Sequence, residues 1–343
     1  MGGRVIGIVH NEPAPQGQAF SEASMDVMAQ VEAVEKALEE LGHSSVRIFF
    51  TRDLGRFIQR MKEEKVEMVF NLCETVNEDG RLSGHPAAVF EVLEIPFSGS
   101  PSMALMLTTD KFITKRLLHA SAIATPNYTT YNAMEPFHPT GLTFPVMAKP
   151  RFEDASIGID QESIFENEAQ LRKRLPELSE RFEALLVEEY IEGREFNASL
   201  LGYPSPSVLP VAEIDFSDFP ESLRSIVGYR AKWDKTSFEY HHTPREFPQD
   251  LPQALLIAIK RTALDCFRLF MLKDYGRIDM RVDGQGRIYV LEINGNPCLS
   301  PDAGFSAAAE KAGMSYSDMV SRIVHFILQR SGKDGHQTSR ASG

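Results

Sequence analysis

Residues 276–296 read GRIDMRVDGQGRIYVLEINGN, a stretch that alternates like a β-hairpin yet carries charges where a core strand would be apolar. Side chains alternate along a strand, so Arg277, Asp279 and Arg281 share one face while Ile278, Met280 and Val282 share the other. In the second run Glu292 and Asn294 lie on one side, opposite Leu291 and Ile293, and Asp283, Gly284, Gln285 and Gly286 supply turn chemistry in between. Paired as neighbours, the runs bring two carboxylates and an amide oxygen together beside an arginine. Three hard oxygen donors with room left for water and phosphate oxygens suit Mg²⁺ (or Mn²⁺). A solvated hairpin with surface ion pairs has the same pattern, so the rest of the chain must decide.

With 343 residues and 43% hydrophobic content the chain can bury a sizeable core, divided over two or three domains. A formal charge of −12 without a Lys/Arg run argues against a nucleic-acid partner, so anionic ligands must be met locally. Cys73, Cys266 and Cys298 form no CxxC pair or disulfide framework, which fits a reducing compartment. No cationic leader precedes the first strand, and no apolar run approaches the length of a membrane span. A cytoplasmic protein with no membrane partner is expected.

Residues 1–108 alternate strand patterns (5–9, 46–50, 66–72, 95–97) with helical ones (21–41, 84–93), a βαβ arrangement that implies a parallel sheet with ligands at its carboxyl ends, near the loops 11–18 and 73–80. A second block, 109–191, combines a Lys-rich helix (110–119) with strands at 143–148 and 184–191. A third, from 192 to about 330, carries strands at 196–201 and 207–214, a helix at 249–272, the charged hairpin and a last helix at 315–329. The tail 331–343 is polar and aperiodic, so disorder is expected.

Lys149 closes an apolar strand and precedes a small polar loop, 153–158, whose backbone N–H groups and neighbouring cation suit phosphate. In EEYIEGRE (188–195) an apolar strand runs into acids and then another strand. Backbone freed at such a crossover can read an adenine edge, Glu188 can accept from an exocyclic amine, and Glu195 from ribose hydroxyls. An acidic surface bend is the blander account. His241 and His242 lack a third ligand at helical spacing, so a polar loop is favoured over zinc.

In order, the strand-Lys-Pro with its loop, EEYIEGRE, the lysine-bearing AKWDK (231–235), GRID (276–279) and LEIN (291–294) resemble the ATP-grasp superfamily, and most closely its D-alanine–D-alanine ligase group, over about residues 60–328. NEDG (77–80), IPFSGS (95–100), TDK (109–111) and AGMSY (312–316) match that group as well. The resemblance implies an α/β (α+β ATP-grasp) fold: an N-terminal Rossmann-like domain with a parallel sheet (1–108), then a two-lobed ATP-grasp with antiparallel sheets. The central lobe would span 109–191 and the C-terminal lobe 192–330. It further implies that Lys111 and Lys149 contact ATP phosphates, with Ser156 in the loop that folds over them. Glu188, the backbone at Glu189 and Ile191, and Glu195 would hold adenosine, and Lys232 would reach in from a mobile loop. Asp279, Glu292 and Asn294 would bind magnesium, and Arg277 would steady the transferred phosphoryl group. The implied activity is ATP-dependent joining of a small-molecule carboxylate and an amine, in a protein that is often a homodimer through its first block.

The pattern departs from that group at the substrate end. Alanines, Ala155 and Ala303, stand where the group has serines, Cys73 replaces a histidine and is followed by Glu74, and Glu12 lies only loosely near the first-substrate glutamate. Losing two hydroxyls while gaining Glu74 and Asp302 disfavours an anionic D-alanine acceptor and favours a cationic or larger amine. The expected function is thus a carboxylate–amine ligase acting on amino acids or small peptides. The alternatives are a true D-alanine–D-alanine ligase, an ATP-grasp kinase and a non-catalytic nucleotide-binding module.

Overall fold

A computed structural model describes residues 3–14, 17 and 20–332. The chain opens with β1 (Val5–His10), α1 (Ser21–Glu40), β2 (Ser44–Phe49), α2 (Leu54–Glu63), β3 (Met68–Leu72), α3 (His85–Val92) and α4 (Ser102–Thr109). The three strands form a parallel sheet in the order β2-β1-β3, with Phe97 bridging in parallel to Val69 beyond β3. Helices α2 and α4 were not among the expected elements. Asp53 starts α2 by accepting from the Arg56 N–H at 3.0 Å, and Phe57 and Met61, one turn apart, bury its inner face.

The next elements are α5 (Lys111–Ala120), β4 (Tyr128–Tyr131), β5 (Val146–Pro150), β6 (Ile164–Phe165), α6 (Glu168–Arg181) and β7 (Leu185–Glu189), with the strands in an antiparallel sheet ordered β4-β7-β5-β6. Asp110 caps α5 through the N–H groups of Phe112 and Ile113, and the same carboxylate takes a two-pronged bond from Arg151 at 2.7 and 2.6 Å. Helix α5 is thereby fixed to the end of β5.

The remainder comprises β8 (Arg194–Leu201), β9 (Ser207–Val208), β10 (Ala212–Ile214), α7 (Tyr229–Trp233), α8 (Phe238–His241), β11 (Arg245–Glu246), α9 (Gln253–Leu269), β12 (Tyr275–Val282), β13 (Ile288–Asn294), α10 (Gly304–Lys311) and α11 (Tyr316–Arg330). Its antiparallel sheet runs β11-β10-β8-β12-β13, with β9 beside β8. The strand expected at 207–214 is split because Pro210, which has no N–H to give a ladder, falls in its middle. Helix α9 covers one face of this sheet, with Ile259, Ala263, Cys266 and Phe267 against Phe196, Ile278, Met280, Val290 and Ile293. The other face is left for a site.

Two features set the geometry of that face. The register pairs Asp279 with Glu292 and Arg277 with Asn294, but a bulge follows, so that Met280 pairs with Val290 and Leu291 has no partner. Leu291 therefore joins Glu292 on the cavity side instead of opposing it as strict alternation predicted. At the β7–β8 crossover a Cβ on Gly193 (φ +149°) would meet the Val282 carbonyl oxygen at 2.1 Å, so only glycine lets the connection lie against β12. Of the expected tail, residues 333–343 lie outside the described residues, as do 15, 16 and 18 of the 11–18 loop. Among the described residues no helix is long and apolar enough to cross a membrane.

Candidate active site

A cavity of about 570 Å³ opens between the two antiparallel sheets and extends to the loop after β3 and the start of α1. Its wall brings together Lys149, Ser156, Glu188, Glu189, Ile191, Glu195, Lys232, Arg277, Asp279, Glu292, Asn294, Glu74 and Asp302, residues drawn from more than two hundred positions of sequence. Two expected residues are absent from it. Glu12 is exposed in the loop after β1, and Lys111 is buried behind the wall. Lys111 Nζ lies 2.8 Å from Glu292 Oε1 and 3.0 Å from Asp154 Oδ1, and donates to the Glu153 carbonyl at 2.6 Å. In this arrangement it backs a carboxylate and the 153–158 loop.

On the hairpin face, Arg277 forks onto both oxygens of Asp279 at 2.8 Å, and the amides of Asn197 and Asn294 donate to the same carboxylate at 2.8 and 3.0 Å. Burial would raise the Glu292 carboxyl, but Lys111, Lys149 and Lys232 more than reverse this and bring it down to about 2, so it is anionic throughout the neutral range. Glu292 Oε1 is buried with Lys111 beside it and no aligned hydrogen bond. Two carboxylates and a carboxamide on one face are hard-donor chemistry and fit a divalent ion such as Mg²⁺. Among the described residues no three His, Cys, Asp or Glu side chains group around a point. The third donor of this set is the amide of Asn294.

At the opposite end Glu188 is held between two lysines, with Oε1 2.6 Å from Lys149 and Oε2 2.5 Å from Lys115. Burial opposes its ionisation, and the lysines overcome it, leaving the carboxyl below the ordinary glutamate range. Arg281, almost fully buried, ties the crossover to β12: it donates to Glu195 at 2.9 Å, to the Ile191 carbonyl at 2.8 Å and to the Ser225 carbonyl, with Tyr190 against its guanidinium. Sequence reasoning placed Arg281 on the right face but gave it no role, and it missed Lys115. The signal for Lys115 was its four-residue spacing from Lys111, which puts both ammonium groups on one side of α5.

Residues 215–244, between β10 and β11, close over the cavity. Ser156 donates to the Val227 carbonyl at 2.7 Å, the Tyr229 N–H to the Ile159 carbonyl at 2.7 Å, and the Tyr229 hydroxyl to Glu22 of α1 at 2.9 Å. Lys232 is carried inward by α7. Among the described residues it has no ion pair or hydrogen bond, and burial followed by the charge of Arg277 lowers its pKa.

The substrate end carries both signs. Asp26 of α1 accepts from Cys298 Sγ and Ser300 Oγ, each at 3.0 Å, and Gln30 donates to Glu74 at 2.9 Å. Burial chiefly, with Asp26 and Asp154 adding to it, pushes the Glu74 carboxyl up to about 7. Facing them, Arg245 lies over the Cα of Gly304 at the start of α10 and donates to the Asp302 carbonyl at 3.3 Å. Among the described residues no carboxylate pairs with it. Burial and then Arg277 lower its pKa.

Comparison with known proteins finds one family in both sequence and fold. Residues 123–325, more than half of the chain, match the model of the D-ala D-ala ligase C-terminus. The D-alanine–D-alanine ligase of Carboxydothermus hydrogenoformans is 32% identical over 311 residues, covering 87% of this chain and 92% of that protein. The uncharacterized protein y4sG of Sinorhizobium fredii is 30% identical over 325 residues, covering 93% and 90%. In three dimensions the D-alanine–D-alanine ligase of Bacillus anthracis, solved in complex with ATP, superposes with a TM-score of 0.76 at 22% identity over 97% of this chain and all of that one. On the span of these matches, the chain belongs to the D-alanine–D-alanine ligase family of ATP-grasp ligases.

Proposed function

We propose that this family member is an ATP-dependent carboxylate–amine ligase that forms an amide or peptide bond through an acyl phosphate and releases ADP and phosphate. The observation that carries the reading is Lys232, an ammonium on the cavity wall beside Arg277, Asp279 and Glu292 that has no ion pair or hydrogen bond among the described residues, as a transferred phosphoryl group requires. The fold and the ATP bound by the Bacillus anthracis relative support the same nucleotide.

A carboxylate does not accept an amine directly, so its oxygen first attacks the γ-phosphorus. Lys149 and Lys232 offset the charge of the polyphosphate, and Arg277 offers a planar fork to the phosphoryl oxygens in flight. When bound to Asp279, Glu292 and Asn294, Mg²⁺ or Mn²⁺ would screen the repulsion between polyphosphate and carboxylate. The lid over residues 153–158 keeps water from the acyl phosphate until the amine attacks. Phosphate then leaves from the tetrahedral carbon.

The substrate end supports a zwitterion, such as an amino acid or small peptide, with its ammonium toward Asp26 and Glu74 and its carboxylate toward Arg245 and Arg277. The sequence argument for a cationic amine counted Glu74 and Asp302 but not Arg245, whose guanidinium adds a positive charge on the same side of the cavity. A true D-alanine–D-alanine ligase is the second reading, supported by the names of the relatives that are about 30% identical. Phosphate release from ATP and Mg²⁺ against amino acids singly and in pairs, with mass spectrometry, tests both. A condensation mass that needs two substrates supports ligation, D-alanyl-D-alanine as the preferred product selects the second reading, and a phosphorylated single substrate means a kinase.

A further inference from the structure

Two lysines one turn apart on α5 stand behind two carboxylates of the cavity: Lys111 behind Glu292, and Lys115 behind Glu188. The proposed chemistry does not use Lys115. It is 1% exposed, forms no part of the cavity wall, and is anchored from the rear, because its Nζ donates to Thr125 Oγ1 at 2.8 Å and Thr125 donates on to the Val290 carbonyl of β13 at 2.8 Å. Lys149, the other partner of Glu188, is on the wall and able to turn to a ligand.

This asymmetry matters once nucleotide binds. A polyphosphate competes with Glu188 for Lys149. If it wins, a buried carboxylate whose remaining neighbours were apolar would take up a proton. Burial of an unpaired charge is costly enough for that to be the cheaper outcome. Protonation would also change what Glu188 can read. An ionised carboxylate only accepts, and so matches the 6-amino group of adenine, whereas a protonated one donates and matches a 6-oxo purine.

We propose that Lys115 is a positioning residue that keeps Glu188 ionised and fixed while Lys149 serves the phosphates, and that it thereby sets the selectivity of the nucleotide site for a 6-amino over a 6-oxo purine. The proposal rests on the reading of ATP as substrate and of Glu188 as the group facing the purine edge. Burial, working against the pull of Glu188, brings Lys115 itself to about 8, close enough to neutrality that the pair depends on its tight geometry.

The test measures kcat and KM for ATP and for ITP in the wild-type enzyme, in Lys115→Gln, which keeps hydrogen-bonding capacity but removes the charge, and in Lys115→Arg, which restores the charge. The expected result is a wild type that prefers ATP, a Lys115→Gln preference reduced at least about tenfold with the loss mainly in KM for ATP, and substantial recovery in Lys115→Arg. Equal losses toward ATP and ITP in Lys115→Gln would show a merely structural lysine and overturn the proposal. Should Lys115→Gln fail to fold, equilibrium binding to the wild type decides, since an ionised Glu188 must repel the 6-oxo group and equal affinity for ITP overturns the idea. A wild type that binds neither nucleotide rejects the ligase reading itself, and this proposal with it. A wild type that uses ATP normally separates the two failures.

Discussion

Trp233 donates its indole N–H to the carbonyl oxygen of Ala155 at 2.9 Å, joining the segment over the cavity to the loop that follows β5. It is the single tryptophan of the chain, so its emission reports that contact without labelling. Addition of ATP with Mg²⁺ should shift or quench the emission saturably, and Tyr229→Phe, which removes the bond to Glu22, should raise the nucleotide concentration needed. A spectrum indifferent to nucleotide at every concentration would rule out a closing lid here.

Arg277→Lys should lose about 10²–10³-fold in kcat, although the charge is retained. A point charge cannot fork onto Asp279 and still face a phosphoryl group, as the guanidinium can. The assay is phosphate release under saturating substrates, alongside circular dichroism to show an intact fold. Near-wild-type turnover would mean that Arg277 only holds Asp279 in place.

Glu292→Gln should raise the Mg²⁺ concentration for half-maximal activity by about tenfold or more, because a neutral amide is a poorer donor for a hard cation. It also leaves Lys111 with Asp154 and the Glu153 carbonyl as partners. Magnesium titration of the assay reads this directly, and an unchanged midpoint would remove Glu292 from the ion's donor set.

Glu74→Gln predicts a trade of function against stability. The folded-state pKa of Glu74 is raised to about 7 from the ordinary 4.5, so folding favours its protonated form, and stability is lost as pH rises from about 4.5 to 7. A glutamine keeps the acceptor for Gln30 and removes that loss. The variant should therefore gain up to about 2–3 kcal/mol relative to wild type above pH 7, and nothing below pH 4. Thermal melts at pH 4 and 8 check this, with KM for the ammonium-bearing substrate expected to rise in the same variant. A variant that is no more stable than wild type at pH 8 would contradict the strained acid.

The charged hairpin was legible because period-two alternation is a local property, and its turn residues fixed which positions face each other. The bulge at Leu291 was not legible, since no residue type there announces an extra position, and strict alternation sent that side chain to the wrong face. Helix α10 escaped notice although FSAAAEK is a good helix former, because Asp302 and Ala303 just before it were read only for their bearing on substrate. Asp26, Arg245 and Asn197 came to the site from α1, β11 and β8 through tertiary folding, and no spacing within a single segment could have grouped them. Glu12 shows the reverse case, an acid expected near the substrate that is exposed and forms no part of the cavity wall.

The buried faces of α10 and α11 share one apolar core with Val27, Val31, Val34 and Leu38 of α1 and with Ile6, Ile8 and Phe70 of the parallel sheet. During translation the nascent sheet would therefore stay half-clothed until residues 304–330 had been made. The first hundred residues should not make a self-sufficient domain, and a chain halted before residue 316 would present that valine stripe to chaperones and proteases.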